Sequence, residues 1–297
     1  MRTFIFITLF FLSCAEGSKT LPNSTGKNSE VIFVVDDVLW ENSIQQLVET
    51  TFCTQINGLG KEELLFKPFQ LNNKEFNSIL KTHKNIVIIS KGVESVLKHN
   101  KWAYGQIVSQ VNWTNDSTKT ARDLLNLRNV FAEKELKGIK SFLAKSSQKN
   151  IESVVFNNFG VKLLVPKEYS IIINEESFFW AKYDPPESDE IKNIITFSFA
   201  KNSKNLQKEV LSKTDSIFAK YLLGAIKGSY VCIEKQYPPY YFDNTYRGLW
   251  RLENGFMGGP FIIKTYSLKT RVIVNIGLVF APQSTKRRYI KEFEAIL

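Results

Sequence analysis

Residues that bind transition metals are scarce in this sequence. The 297 residues include three cysteines and two histidines. Zinc sites need thiolates or imidazoles at fixed spacings, and neither Cys53, Cys232, His83 nor His99 belongs to such an arrangement. We therefore expect no metal site and no cofactor, and both histidines are predicted to lie on the surface. Two cysteines so far apart make no disulfide framework, although a single bridge between them stays open.

The short motifs that mark catalysis are also missing. The chain has no G-x-S-x-G nucleophile elbow, and neither histidine lies in a recognisable hydrolase motif. Gly258-Gly259 lacks the lysine and the helix start of a phosphate-binding loop. Four acidic residues cluster in one loop: Asp184, Glu187, Asp189 and Glu190. Prolines interrupt them and no glycine provides the turn of a calcium loop, so we interpret the cluster as a solvated acidic loop.

Apolar runs of 18 residues, the length that spans a bilayer as a helix, do not occur. A shorter apolar run at residues 4–12 follows Arg2, which is the pattern of an export signal. The junction Leu12-Ser13-Cys14-Ala15 resembles the lipobox of bacterial lipoproteins, in which the cysteine is acylated and becomes the mature N-terminus. We predict a signal peptide at residues 1–13 and lipid attachment at Cys14. Cleavage after Ala15, which would release a soluble secreted protein, is the alternative.

Residues 14–30 have the composition of a tether, with Gly, Ser, Pro and Asn and almost no apolar side chain. In some bacteria, lipoproteins exported to the cell surface resemble one another in having an acidic cluster just after the cysteine. Here only Glu16 precedes Lys19. We therefore predict a cell-envelope protein held in the membrane by its N-terminal lipid, on the periplasmic face of the outer membrane.

Acidic residues are outnumbered, with 29 Asp and Glu against 39 Lys and Arg and a formal net charge of +10. A basic surface can bind nucleic acid, but an export signal directs the chain away from it. We expect no nucleic-acid partner. Anionic lipid or a polyanionic glycan is the more compatible partner, and an envelope protein is a further candidate.

Residues 31–115 have the pattern of an α/β half. Residues 31–35 and 86–89 are short, wholly apolar runs that predict buried strands. Asp36 and Asp37 follow the first run, and either is expected to cap a helix; an acidic site at the carboxyl end of the strand is the alternative. Its apolar face recurs at helical spacing: Trp40, Ile44, Leu47, Val48 and Phe52. A second helix is predicted near residues 74–82.

Residues 116–159 are predicted to form one long connecting helix between two halves. An imperfect apolar stripe supports it: Leu124, Leu127, Phe131, Leu136, Ile139 and Leu143. The lysine-rich opposite face is interpreted as solvated surface.

Residues 160–297 are predicted to be an α+β half. Three stretches alternate with a period of two and predict strands: Val161, Leu163 and Val165; Phe178 and Trp180; Ile195, Phe197 and Phe199. A helix over residues 206–225 is expected to stop near Gly228. Three antiparallel strands follow at roughly 245–253, 256–266 and 271–281, and a short helix ends the chain. The predicted fold class is therefore α+β, with a mixed α/β N-terminal half and an antiparallel C-terminal meander.

The register of the hairpin at Asn254-Gly255 can be predicted if these residues form a two-residue type I′ turn. Trp250 then lies opposite Gly259, and Phe261 lies opposite Gly248. Each glycine would be covered by an aromatic ring from the neighbouring strand, which is an architectural interpretation. The alternative is a ligand slot beside Trp250.

The stretch from Tyr237 to Tyr246 is rich in aromatic residues and stiffened by two prolines. Aromatic side chains on such a loop can hold sugars or peptides. The candidate binding surface consists of Tyr240, Tyr241, Tyr246, Arg247 and Trp250. Packing of the loop onto the meander is the alternative.

Several short motifs are spread over the mature chain: Leu21-Pro22 with Gly26, Trp40, Asn85-Ile86, Trp102-Ala103 with Gln106, Gly228-Ser229-Tyr230, Arg247-Gly248-Leu249-Trp250, Met257-Gly258-Gly259-Pro260-Phe261, Lys286-Arg287 and Glu294-Ala295. Together they resemble a family of Bacteroidota envelope lipoproteins known as domain of unknown function 4837. The resemblance implies a lipoprotein address and no assigned activity.

The leading hypothesis is a non-catalytic periplasmic binding or scaffolding protein. The alternative is a hydrolase that acts on envelope glycan, peptide or lipid. Two carboxylates about 5 to 9 Å apart in a deep cleft would favour the enzyme, whereas a shallow aromatic surface would favour the binding protein.

Overall fold

The computed structural model describes residues 20–59, 63–201 and 204–297, which form two β-sheets and the helices packed on them. The predicted signal peptide and Cys14 lie outside the described residues, as does the first part of the tether. A parallel N-terminal sheet and an antiparallel C-terminal sheet give the predicted α+β class. None of the helices in the described ranges has the length and apolar character to cross a membrane.

The N-terminal sheet has five strands in the order β2-β1-β3-β5-β4. Its strands are β1 (Glu30–Val34), β2 (Lys67–Leu71), β3 (Asn85–Ser90), β4 (Val96–His99) and β5 (Ile107–Asn112). All neighbours pair in parallel except β4, which runs antiparallel at the edge. The two apolar runs predicted as strands are β1 and β3, and both lie inside the sheet, as wholly apolar strands require.

The helix predicted after β1 is confirmed, and Asp36 is its cap. The Asp36 carboxylate accepts hydrogen bonds from the backbone N–H groups of Val38 and Leu39, at 3.1 and 3.3 Å. The helix consists of α1 (Asp37–Leu39), a π-helical turn (Trp40–Ile44) and α2 (Gln45–Phe52). Its apolar face packs on the sheet.

The second helix predicted near residues 74–82 is wrong, because only a 3₁₀ turn (Leu80–Thr82) forms there. The side-chain oxygens of Asn72 and Asn77 each accept hydrogen bonds from two backbone N–H groups just downstream. These local bonds hold the chain in successive turns and compete with an α-helix.

The connecting region contains two helices instead of one, α3 (Ser117–Ser146) and α4 (Lys149–Phe159). The chain leaves the helix at Ser147 and Gln148, where the Gln148 backbone N–H bonds the carbonyl of Val165 at 2.9 Å. The first half of α3 packs in the core of the parallel sheet, whereas Leu143 near its end belongs to the C-terminal core. Helix α3 therefore joins the two halves.

The C-terminal sheet is antiparallel, with the order β10-β11-β12-β13-β8-β7-β6, and β9 pairs with β11. Its strands are β6 (Ser170–Asn174), β7 (Phe178–Tyr183), β8 (Ile191–Ala200), β9 (Tyr230–Ile233), β10 (Tyr240–Phe242), β11 (Thr245–Glu253), β12 (Gly258–Ser267) and β13 (Arg271–Phe280). Helix α5 (Leu206–Tyr221) covers one face, and α4 together with α6 (Arg287–Ile296) covers the other. The three C-terminal strands and the final helix are confirmed as predicted.

Two predictions in this half are wrong. Residues 161–165 form no strand: Leu164 bonds the carbonyl of Ile296 at 3.0 Å, so the segment is a buried extended connection beside α6. Helix α5 ends at Tyr221, well before Gly228, because the next residues turn back to pair Leu223 with Tyr230.

The predicted hairpin register is confirmed, since Trp250 pairs with Gly259 and Gly248 pairs with Phe261. The predicted turn type is wrong. A type I′ turn needs a positive φ at both central residues, but of Asn254 and Gly255 only Asn254 has one, of 54°. The N–H of Gly255 bonds the carbonyl of Leu252 at 3.2 Å, so the turn is centred on Glu253 and Asn254, one residue earlier than predicted. The register is unchanged because the loop gains one residue from each strand, Glu253 and Phe256.

Candidate functional site

A cleft of about 950 Å³ lies between the two halves of the molecule. Its walls come from the end of α3, the segment 27–29 before β1, the loop 166–169, strands β7 and β8, and the start of α6. The volume is within the range of small-molecule sites, and such sites often form where two substructures meet.

One side of the cleft is closed by an ion pair between α3 and α6. The Arg287 guanidinium donates two hydrogen bonds to the Glu135 carboxylate, at 2.7 and 2.6 Å, and a third to the carbonyl of Leu65, at 2.7 Å. Both side chains are buried. This bidentate pair joins α3 to α6 along one side of the cleft.

Lys192 on β8 lies between two carboxylates. Its Nζ is 2.8 Å from Glu292 and 3.3 Å from Glu190. Burial favours a lower pKa for Lys192, but the attraction and hydrogen bonds of Glu292 and Glu190 outweigh it and raise the pKa above its ordinary value. Lys192 therefore stays protonated in the cleft.

Glu190 also receives hydrogen bonds from Arg288 at 2.9 Å and from the Tyr289 hydroxyl at 2.7 Å. Burial acts to raise the pKa of Glu190, but these contacts together with Lys192 lower it. The prediction that Glu190 belongs to a solvated acidic loop is wrong. The burial of Glu190 could not be predicted from the local sequence, because its partners Arg288 and Tyr289 lie about one hundred positions away.

Tyr169 lines the cleft, with 3% of its surface exposed. Its hydroxyl has no hydrogen-bond partner in the described part of the chain. Burial, followed by the nearby charges of Glu292 and Glu190, raises the pKa of Tyr169 well above its ordinary value. The hydroxyl is thus a protonated donor, and a buried polar group left unpaired costs about 1–3 kcal/mol.

The aromatic rings around Tyr169 form an apolar side of the same cleft. The Tyr183 ring lies 5.9 Å from that of Tyr169, and Lys192 Nζ lies 4.6 Å from the Tyr183 ring centre. Phe142 of α3 is strongly exposed at the rim. The cleft therefore offers both stacking surfaces and charged groups.

Basic residues outnumber acidic ones on the cleft wall, six against three. Most of the cations are paired with carboxylates, as described for Lys192, Arg287 and Arg288. Lys27 and Lys167 are exposed at the rim, and no ion pair joins them to a carboxylate within the described ranges. The opening of the cleft therefore attracts negative charge.

The predicted aromatic binding surface is not one surface. Tyr246 and Trp250 are buried in the core beneath α5, and the Trp250 indole donates to the carbonyl of Val279 at 3.2 Å. Arg247 bonds Glu294 on α6 at 2.7 and 3.2 Å. Only Tyr240 and Tyr241 are exposed, on the edge strand β10. Strand alternation explains the split, because β11 turns every second side chain inward.

The histidines and cysteines form no reactive site among the described residues. His83 is buried, contrary to its prediction, with Nε2 at 3.6 Å from Glu30, whereas His99 is exposed. Cys53 and Cys232 are both free thiols. Within the described ranges, no group of three or more metal-binding side chains comes together.

Two family patterns match the chain. One, described as domain of unknown function DUF4837, matches residues 147–297, and the other, domain of unknown function DUF8532, matches residues 24–143. The boundary between them falls at the end of α3. No curated protein matches the chain.

Proposed function

The chain belongs to the family described as domain of unknown function DUF4837, as its motifs indicated, and we propose that it is a lipid-anchored envelope protein that binds an anionic glycan without chemical change. The binding site is the cleft between the two halves. Arg287 and Glu135 close one side of it, and Tyr169, Tyr183 and Lys192 line its interior.

The observation that carries the proposal is the unpaired hydroxyl of Tyr169. A buried polar group without a partner is retained at a cost to stability. The hydroxyl oxygen has almost no accessible surface, so a ligand that accepts its hydrogen bond displaces the side chains that cover it and then removes that cost. Lys192 lies 5.7 Å from the Tyr169 ring, but its charge is already paired with Glu292 and Glu190. A ligand oxygen that accepts a hydrogen bond suits Tyr169, and a ligand carboxylate suits the rim lysines Lys27 and Lys167.

The glycan class follows from the remaining lining. Tyr183 and Phe142 present ring surfaces on which sugars stack, and the rim lysines Lys27 and Lys167 favour an anionic ligand. An envelope glycan that carries carboxylates combines these features. Export through the signal at residues 1–13 and acylation of Cys14 would bring the cleft to such a glycan on the periplasmic face of the outer membrane.

A second candidate function is hydrolysis of that glycan. The short distance between the carboxylates of Glu190 and Glu292 favours it. Both carboxylates contact the same Lys192 nitrogen, at 3.3 Å for Glu190 and 2.8 Å for Glu292. The distance between their nearest oxygens therefore cannot exceed the sum of these two contacts, which is close to the carboxylate spacing of glycosidases. However, a general acid needs a raised pKa, and the pKa of Glu190 is lowered. Binding is therefore the function that the geometry supports best.

Calorimetry with soluble, carboxylate-bearing peptidoglycan fragments tests the proposal, with dextran as a neutral glycan. We expect binding of the fragments only, weakened severalfold by Lys27→Ser with Lys167→Ser and unchanged by Lys119→Ser, which removes an exposed lysine far from the cleft. Equal binding of both glycans would contradict the anionic class. Shortened fragments after incubation, absent with Glu292→Gln, would support the hydrolase instead.

A further inference from the structure

An apolar pocket of about 490 Å³ lies on the α5 face of the C-terminal sheet, where the end of α5 leaves the strands uncovered. Its floor includes Trp180, Leu278 and Phe280, and its walls include Trp250 and Met257. Among the described residues, none lines both this pocket and the cleft. The two are separate sites.

Two loops form the mouth of the pocket, residues 222–229 after α5 and residues 254–257 between β11 and β12. They meet over Leu252: a Cβ at Gly224 would lie 3.1 Å, and one at Gly255 2.4 Å, from the same Leu252 methyl group. The Asn254 side chain bonds the carbonyl of Gly228 at 3.2 Å. The loops therefore act as one structure.

Large apolar side chains at the mouth are exposed on both loops. Phe256 is 94% exposed, Leu223 68% and Ile226 66%. We call these three residues the collar. An exposed apolar cluster beside an apolar pocket marks a membrane or ligand contact. Lys227, also exposed, lies within the first loop next to Ile226 and suits an anionic lipid headgroup.

The polar side chains on the pocket wall are engaged within the protein. Trp180 donates to Asn193 at 2.9 Å, Ser229 to the carbonyl of Ile226 at 2.6 Å, and Lys182 pairs with Asp184 at 2.5 Å. The Trp250 and Asn254 bonds are given above. The wall therefore favours a ligand portion that has no polar groups.

From these features we infer that the pocket binds one acyl chain of an anionic membrane phospholipid, with the collar inserted in the bilayer surface. A methylene group fills about the volume of a water molecule, roughly 30 Å³, so a volume of about 490 Å³ corresponds to roughly sixteen methylenes, the length of one acyl chain. The collar favours a lipid within a bilayer over a free fatty acid.

Tryptophan quenching by brominated lipid tests this inference, because Trp180 and Trp250 line the pocket and the other three tryptophans lie in the N-terminal half. The chain without residues 1–14, and therefore without the apolar signal and the lipid, would be mixed with vesicles of phosphatidylglycerol and phosphatidylethanolamine brominated on one chain. We expect quenching that unbrominated vesicles do not cause. Val231→Phe, at a buried residue of the pocket wall, should reduce it at least threefold.

A matched pair of exposed isoleucines controls for nonspecific binding of apolar side chains to vesicles and for effects on folding. Ile226→Ser, in the collar, should raise the lipid concentration for half-quenching at least fivefold, whereas Ile79→Ser, in the N-terminal half, should not change it. Equal behaviour of the two isoleucine variants, or undiminished quenching in Val231→Phe, would overturn the inference. Equally efficient quenching by free brominated fatty acid without vesicles would contradict the inference that the acyl chain belongs to a phospholipid in a bilayer.

Discussion

Arg287 and Glu135 lie 152 positions apart in the sequence and are joined by two buried hydrogen bonds of 2.7 and 2.6 Å. They connect the two regions matched by different family patterns. Arg287→Ala leaves the Glu135 carboxylate buried without its partner, so we expect the free energy of unfolding to fall by about 3–5 kcal/mol.

Two variants control for the loss of a charge at this position. Arg288→Ala removes a neighbouring arginine whose side chain is 62% exposed, and should cost at most about 1 kcal/mol. The double variant Arg287→Met with Glu135→Leu should recover most of the loss, because neither charge is then buried alone. Urea unfolding measures all three, and equal losses for the two arginines would refute the assignment.

The buried His83 predicts a loss of stability in mild acid. Burial lowers its pKa from the ordinary 6.5, although hydrogen bonds with Asn85 and Glu30 act in the opposite direction. The unfolded chain therefore takes up a proton at higher pH than the folded one, and the free energy of unfolding falls as the pH drops below about 6.5. The lowered pKa of Glu30 acts only below its ordinary 4.5.

Urea unfolding between about pH 7 and pH 5 isolates the contribution of His83 to the pH dependence of stability. His83→Gln should flatten the dependence of stability on pH in this window, whereas His99→Gln, at an exposed site, should leave it as in the natural protein. An unchanged slope in His83→Gln would refute this role.

Gly259 is required by close packing of strands. A Cβ at this position would lie 3.3 Å from the Trp250 indole nitrogen and would overlap the carbonyl oxygen of Val279, the acceptor of the Trp250 hydrogen bond. Gly259→Ala should therefore lower the free energy of unfolding by about 1–3 kcal/mol.

Gly138→Ala is its control, because nothing lies within 4 Å of a Cβ there, and in a helix the change should be neutral or stabilise by up to about 1 kcal/mol. Thermal unfolding compares the two. Full stability in Gly259→Ala would show that the strands can separate at this point, which favours the ligand slot over the architectural interpretation.

The lipid anchor is predicted from Cys14 and the residues before it. Cys14→Ala should abolish incorporation of labelled fatty acid while the two sheets stay folded, since the first described strand begins at Glu30. Labelling that persists in the variant would refute the assignment of the acylated residue. On the proposed periplasmic face, the natural protein should resist protease added to intact cells.

The elements that the sequence predicted well are those decided by local pattern. β11 and β12 were predictable because alternating side chains and two glycines opposite aromatic rings fix the register. Asn72 and Asn77 show the limit of the same approach, because their side-chain hydrogen bonds override a weak helical pattern. The turn at Asn254 was missed because the register does not depend on its type.

The cleft was not predictable from periodicity, because its groups come from distant parts of the chain. Lys192 and Glu292 are one hundred positions apart, and neither belongs to a motif that implies the other. Tyr246 and Trp250 show the converse error: aromatic residues close in sequence were grouped as a surface, although the strand turns both into the core.

Tyr169→Phe tests the central claim most directly, because a ligand-binding hydroxyl and a structural one give opposite results. We predict unchanged or higher stability, since an unpaired buried hydroxyl is removed, together with at least tenfold weaker binding of carboxylate-bearing peptidoglycan fragments. The control Tyr266→Phe loses a hydrogen bond to Leu297 outside the cleft and should cost about 1 kcal/mol without affecting binding. Unchanged affinity in Tyr169→Phe, measured by calorimetry, would contradict the proposed binding site.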